Sequence, residues 1–195
     1  MKRLLAALQQ GKKIRVLGID DAPFNKHQDD KVNVVACICS NTRFEGMLWL
    51  EATRDSTDAT DVIIQGVKNS KFHNQLHAIL LDGIAIGGFN IIDLPRLSEA
   101  LQLPCLAVMR KLPDGMAIDN ALRHFTDYEN RIALIQKAGT IYQMQGFVFQ
   151  VVGCDELNAA RLLQQVTDTG KVPEALRIAH LIAAAIKYGE SSQRA

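Results

Sequence analysis

Two apolar runs in this sequence end in aspartate. Val16-Leu17-Gly18-Ile19 closes on Asp20 and Asp21, and Ile79-Leu80-Leu81 closes on Asp82, with Gly83 directly after it. A carboxylate at a strand end is either a turn or cap residue or a ligand for a hard cation. Adjacent strand residues point to opposite faces, so only one of Asp20 and Asp21 can aim into a given site. Asp20 is the first choice and Asp21 the second. Two ionised carboxylates brought close repel each other, and a divalent cation is the usual compensation. Paired metals about 4 Å apart activate water and stabilise the leaving oxygen in phosphodiester cleavage. Asp20 and Asp82 are therefore read as catalytic carboxylates and metal ligands.

Asp55-Ser56-Thr57-Asp58-Ala59-Thr60-Asp61 supplies a third element. Such residues favour helix starts, where they cap free amides. The segment also reaches the same sheet edge, and Asp58 is the choice for a third catalytic and metal-binding carboxylate, ahead of Asp55 and Asp61. Glu174 stands in the first turn of an apolar helix, where the helix dipole favours a carboxylate in any case. It is held as a further catalytic candidate. His180 lies among apolar residues, so a satisfied core histidine is the favoured reading and a site role comes second. Residues 83–90 form a glycine-bearing loop without the Lys-Ser/Thr of a P-loop or the spacing of a dinucleotide fingerprint. Gly83, Gly87 and Gly88 would let the backbone approach a sugar-phosphate chain or a base. Arg110-Lys111 would meet a phosphate there, or stay solvated. No Gly-x-Ser-x-Gly elbow or His-Glu-x-x-His motif exists, which excludes those hydrolase classes.

The elements that must position these residues follow from periodicity. Residues 14–20, 32–40 and 46–53 read as three strands of an antiparallel meander. A helix over 57–71, a strand over 77–82, a helix over 93–101 and a strand over 104–109 come next. Residues 127–138 read as a helix, and 141–152 as a strand pair around Gly146. Helices over 154–167 and 173–188 close the chain, the last with proline in its first turn. This order predicts an α/β fold with a mixed β-sheet flanked by helices, the order of the ribonuclease H-like fold. It also places the first and fourth strands side by side, with Asp20 near Asp82.

The chain has 195 residues, a length that suits one domain over 1–195. Its 22 Lys and Arg against 21 Asp and Glu leave a net charge of +1, so no global field draws it to a polyanion or a membrane. Any nucleic-acid contact must come from a local patch. Cys37, Cys39, Cys105 and Cys154 show no CxxC or zinc-finger spacing and read as reduced core residues of a cytoplasmic protein. The apolar run Leu4 to Leu8 is too short for a signal peptide, and no membrane span is expected.

Taken together, VLGIDDAPF, TDAT, LLDGIAIGGFN and GKVPEALRIAHLIAAAI resemble the endonuclease dU family, a branch of the endonuclease V-like superfamily within the ribonuclease H-like fold. The resemblance spans residues 15–190. Endonuclease V itself is similar at Gly18-Ile19-Asp20, at Leu80-Leu81-Asp82-Gly83 and at Ala107-Val108-Met109-Arg110, where Arg110 replaces its lysine. Asp58 is taken in place of its middle glutamate, and its late histidine falls near Glu174. The resemblance implies a magnesium- or manganese-dependent endonuclease acting in DNA repair on DNA that carries a deaminated base such as deoxyuridine. A pocket in the glycine loop would read that base. The alternative is a non-catalytic nucleic-acid-binding or regulatory module of the same fold, and a weaker third reading is hydrolysis of a small nucleotide. The oligomeric state is left open.

Overall fold

The computed structural model describes residues 2–192. Three strands, β1 (Arg15–Asp21), β2 (Lys31–Ser40) and β3 (Arg43–Thr53), form the expected meander. Helix α2 (Ala59–Lys68) leads through a short 3-10 turn to β4 (Ala78–Asp82), which lies parallel to β1. The glycine loop contains a two-residue hairpin of β5 (Ala85–Ile86) and β6 (Asn90–Ile91). Helix α3 (Leu94–Leu101) then leads to β7 (Cys105–Met109), parallel to β4. The hairpin of β8 (Tyr142–Met144) and β9 (Phe147–Val152) completes a seven-stranded sheet of order β3-β2-β1-β4-β7-β9-β8. The fold is therefore the α/β class expected, with a parallel centre and antiparallel margins.

Helices cover both faces, which explains why the central strands read as continuous apolar runs and not as alternating ones. Ile63 and Val67 of α2 and Leu94, Leu97 and Leu101 of α3 pack with Leu17, Ile19, Ile79 and Leu81 on one face. On the other, α6 (Glu156–Gln165) and α7 (Glu174–Tyr188) meet Val16, Leu80 and Leu106, joined by Leu4 and Ala7 of α1 (Lys2–Gln9). Each fully buried Leu or Ile contributes roughly 1.5–3 kcal/mol. Caps sharpen the helix starts: Asp93 accepts from the Arg96 amide ahead of α3, and Asp155 from the Asn158 amide ahead of α6.

Two helices stand beyond the sequence expectation, α1 and α4 (Gly115–Leu122). Only Leu122 of α4 is buried, with Ile118 and Ala121 half-buried beside it, so the helix offers only a short apolar stripe. It joins α5 (Tyr128–Lys137), the helix expected over 127–138.

The approach of α7 to the sheet is set at Gly18. A Cβ at that position would lie 2.5 Å from the carbonyl carbon of Ala175, so only glycine lets the helix backbone sit there. Ala175, Ala179 and Ala183 continue the close contact along one helix face.

Candidate metal centre

β1 and β4 run side by side in register, with Gly18 opposite Leu80 and Ile19 opposite Leu81. One further step brings Asp20 beside Asp82. Val16 and Leu80 face α6 and α7, so Asp20 and Asp82, at even steps from them, face the same way. Helix α7 follows β1 in the same direction. From its contact at Gly18, five helical residues rise about 7.5 Å, matching the two strand residues to Asp20. His180 therefore arrives over Asp20, its Nδ1 2.9 Å from Asp20 Oδ2. Asp20, Asp82 and His180 each offer one ligand atom, and the three atoms lie within 4.8 Å of one another.

The electrostatics of this edge are unbalanced. Asp20 is 7% exposed. Burial, then the charge of Asp82, pushes its carboxyl up to about 6, against the pull of His180 and of the Asp21 amide. Asp21 turns to the opposite face, where burial and then the charge of Asp20 push it up to about 7, although the Gly87 amide donates to it. Arg110 stands beside this edge, its Nη2 3.6 Å from Asp82 Oδ2. Two carboxylates and an imidazole converging on one point form a donor set that fits a divalent cation, whose charge would offset this repulsion.

The sequence-predicted residues divide accordingly. Asp20 and Asp82 come together with Arg110 beside them, and Lys111 is exposed next in the chain. Asp58 stays out of the cluster. Its carboxylate accepts from the Thr53 amide and hydroxyl and from the Asn90 side chain. Burial works against its charge, yet these bonds prevail and hold it below the usual carboxylate range. It ties β3 to α2 and the glycine loop. Neither Asp55 nor Asp61 replaces it: Asp55 accepts from the Phe89 amide and Asp61 pairs with Arg96. Glu174 also lies outside, six residues or about 9 Å along α7 from His180, paired with Arg177. His180 corrects the core-histidine reading. Its side chain is 27% exposed and engages Asp20. The legible signal was Gly18, which marks where a helix must pass, counted forward with the alanines of α7.

The glycine loop is held tightly. Gly83, Gly87 and Gly88 all adopt positive φ, and a Cβ at Gly88 would meet Asp55 Oδ1 at 2.3 Å. The four cysteines are free thiols. Burial pushes Cys37 and Cys39 up to about 12, which leaves them unreactive. Among the described residues, no helix is long and apolar enough to cross a membrane.

The chain is 39% identical over 184 residues to a UPF0215 protein of Archaeoglobus fulgidus, covering 94% of this chain and 99% of that one. A crystal structure of a protein from the same organism superposes with a TM-score of 0.84 at 38% identity, covering 89% of this chain and 98% of the other. The endonuclease V of Ciona intestinalis, solved with DNA containing an inosine followed by a ribo-adenosine, shares the fold at a TM-score of 0.54 and 13% identity, covering 87% and 84%. The Endonuclease dU family model matches residues 12–187, and the chain belongs to that family.

Proposed function

We propose that the protein is a divalent-metal-dependent endonuclease that cleaves DNA phosphodiester bonds near deaminated bases of the deoxyuridine type, in DNA repair. The observation that carries this reading is the convergence of Asp20, Asp82 and His180 on one sheet edge. The family's name and the DNA held by the Ciona endonuclease V support the substrate class.

Asp20, Asp82 and His180 would hold magnesium or manganese. Such a cation supplies a more acidic bound water and a Lewis acid for the phosphoryl oxygens. The protein's own groups do the rest. The Asp21 amide and the His180 ring fix both oxygens of Asp20. With Asp20 ionised, the imidazole proton belongs on Nδ1, which leaves the Nε2 lone pair as the atom His180 would offer the cation. Arg110 offers a fixed positive charge beside Asp82 for the charge that develops on the phosphoryl group. Gly83, Gly87, Gly88 and Lys111 border the path of the strand. Asp58 and Glu174 act in this reading through the positions of α2 and α7. The whole chain serves as one endonuclease V-like unit, and its buried thiols suit the cytoplasm.

The test is cleavage of a duplex with a single deoxyuridine, in magnesium or manganese and again in chelator. Metal-dependent cutting that Asp82→Asn abolishes is expected. Binding without cutting under every metal condition would instead favour a non-catalytic binding module.

A further inference from the structure

We propose that β3 is a dimerisation edge: residues 46–52 pair antiparallel with the same residues of a second copy, around a two-fold axis at Trp49.

The two margins of the sheet are built differently. An edge strand exposes unpaired amides and carbonyls, and proteins blunt it by keeping it short or covering it. At one margin β8 has three residues, whereas β3 at the other has eleven and no proline. The ladder with β2 fixes which groups of β3 face outward. The Arg54 amide bonds to the Asp30 carbonyl, so alternation along the register turns the backbone of Gly46, Leu48, Leu50 and Ala52 inward to β2. Met47, Trp49 and Glu51 then point their amides and carbonyls away from the sheet, where β3 has no neighbouring strand. Both limits of this open stretch are set locally. The shift in register at Ile38/Cys39 leaves Glu45 out of the ladder at its start. At its finish the Thr53 amide donates to Asp58, and the Thr53 carbonyl accepts from Asn90. Residues 46–52 remain, and Trp49 is their centre.

That symmetry selects a second copy as the occupant. Antiparallel pairing about Trp49 sets Trp49 opposite its own equivalent and Met47 opposite Glu51, so each outward residue meets an outward residue. On the α2 face it sets Leu48 opposite Leu50 and Gly46 opposite Ala52. Leu48 and Leu50 are half-buried against the core under α2, and the second copy would extend that core across the axis. Phe44, Met47 and Trp49 lie opposite Cys39, Cys37 and Val35, which places them together on the α7 face. Phe44 and Trp49 are 43% and 50% exposed there. Trp49 donates its indole N–H to Asn33 Oδ1 at 3.1 Å, so this large ring is oriented before any partner arrives. The charges agree. Lys13, Arg15 and Arg43 surround Glu45 at the start of β3, while Glu51, Asp55 and Asp58 outnumber Lys31 and Arg54 near its end. Antiparallel pairing lays the basic start of each copy along the acidic end of the other, and parallel pairing would set like against like. Because β2 separates β3 from β1, the edge that carries Asp20 and Asp82 stays open in both copies.

Sedimentation equilibrium should give twice the chain mass at micromolar concentration. Emission from Trp49, the single tryptophan, should move to shorter wavelength as the dimer forms. Trp49→Lys should be a monomer throughout, with an unchanged far-ultraviolet spectrum. Glu51→Pro removes an outward amide and spares the apolar face, and it should also be a monomer. The register is read by cross-linking. In the double variant Met47→Cys with Glu51→Cys, positions 47 and 51 of opposite copies stand about 5.5 Å apart between Cα atoms, so mild oxidation should yield a covalent dimer. Each single variant should resist oxidation to a dimer, because its two equivalent positions lie roughly 13 Å apart. A wild-type monomer at every concentration overturns the proposal. So does a dimer untouched by both Trp49→Lys and Glu51→Pro, or a single cysteine variant that cross-links as readily as the double.

Discussion

Asp20 carries two demands at once, being nearly buried and lying beside a second carboxylate. Its partner Asp82 has no such enclosure, so the pair differs in environment although the two residues end similar strands. Replacing Asp82 by Asn keeps the shape and removes the charge that fixes the cation, so cleavage should fall at least 100-fold while the fold persists, as read by single-turnover kinetics and circular dichroism. His180→Ala should weaken manganese affinity about 10–100-fold, the range for a group that orients or completes a ligand set. Isothermal titration checks this, and unchanged affinity would remove His180 from the centre. The same residues predict a pH response. Folding raises Asp20 to about 6 and Asp21 to about 7 from an ordinary 3.8, so the folded chain holds these protons more firmly than the unfolded one. Their stabilisation is complete below about pH 4 and is lost as pH rises through 6 and 7. In chelator, the melting temperature of the wild type relative to Asp21→Asn should therefore fall between pH 5 and pH 8. A parallel course of the two proteins would contradict it.

At the scale of elements, most of the site's frame was legible because β1, β4 and β7 are buried on both faces and read as bounded apolar runs. Their order places Asp20 beside Asp82 without further information. What stayed hidden needed contacts and not periods. Asp58 looks like a ligand in sequence because nothing there shows that Thr53 and Asn90 already satisfy it. His180 looks like a core residue because its apolar neighbours are packed against the sheet while its own ring reaches the strand end. Helix α4 has only eight residues and buries only Leu122, so its apolar stripe of Ile118, Ala121 and Leu122 is too short to stand out. The coupling between elements is testable at Gly18. Alanine there pushes its Cβ against the backbone of Ala175, with no flexible side chain to yield. Such overpacking costs about 1–3 kcal/mol and must lift α7. Gly18→Ala should lower the urea midpoint and also shrink the manganese-induced rise in melting temperature. Alanine at Gly139, where the added Cβ meets nothing within 4 Å but φ is +85°, gives a destabilised comparison that leaves α7 in place. If the two variants lose metal response equally, the link from Gly18 to His180 is wrong.

For the whole molecule, the balance of 22 basic against 21 acidic residues limits how it can hold a polyanion. Much of its cationic charge is committed: Arg15, Arg54, Arg96, Arg123, Arg131, Lys137, Arg177 and Lys187 each pair with a carboxylate. Arg110, though paired with Asp82, lines with Lys171 a cavity beside β8 and β9, Lys111 is exposed next to it, and Lys26 is exposed in the loop after β1. Four phosphate contacts at about 0.9 released counterions each give a slope of roughly −3 to −4 for log affinity against log salt. Binding measured by anisotropy on the deoxyuridine duplex in calcium should show that gentle dependence. Lys171→Ala should then weaken binding to damaged and undamaged duplexes alike and reduce the slope by about 1, as expected of a backbone contact. A slope steeper than about −8 would mean that basic residues beyond these four also meet phosphates.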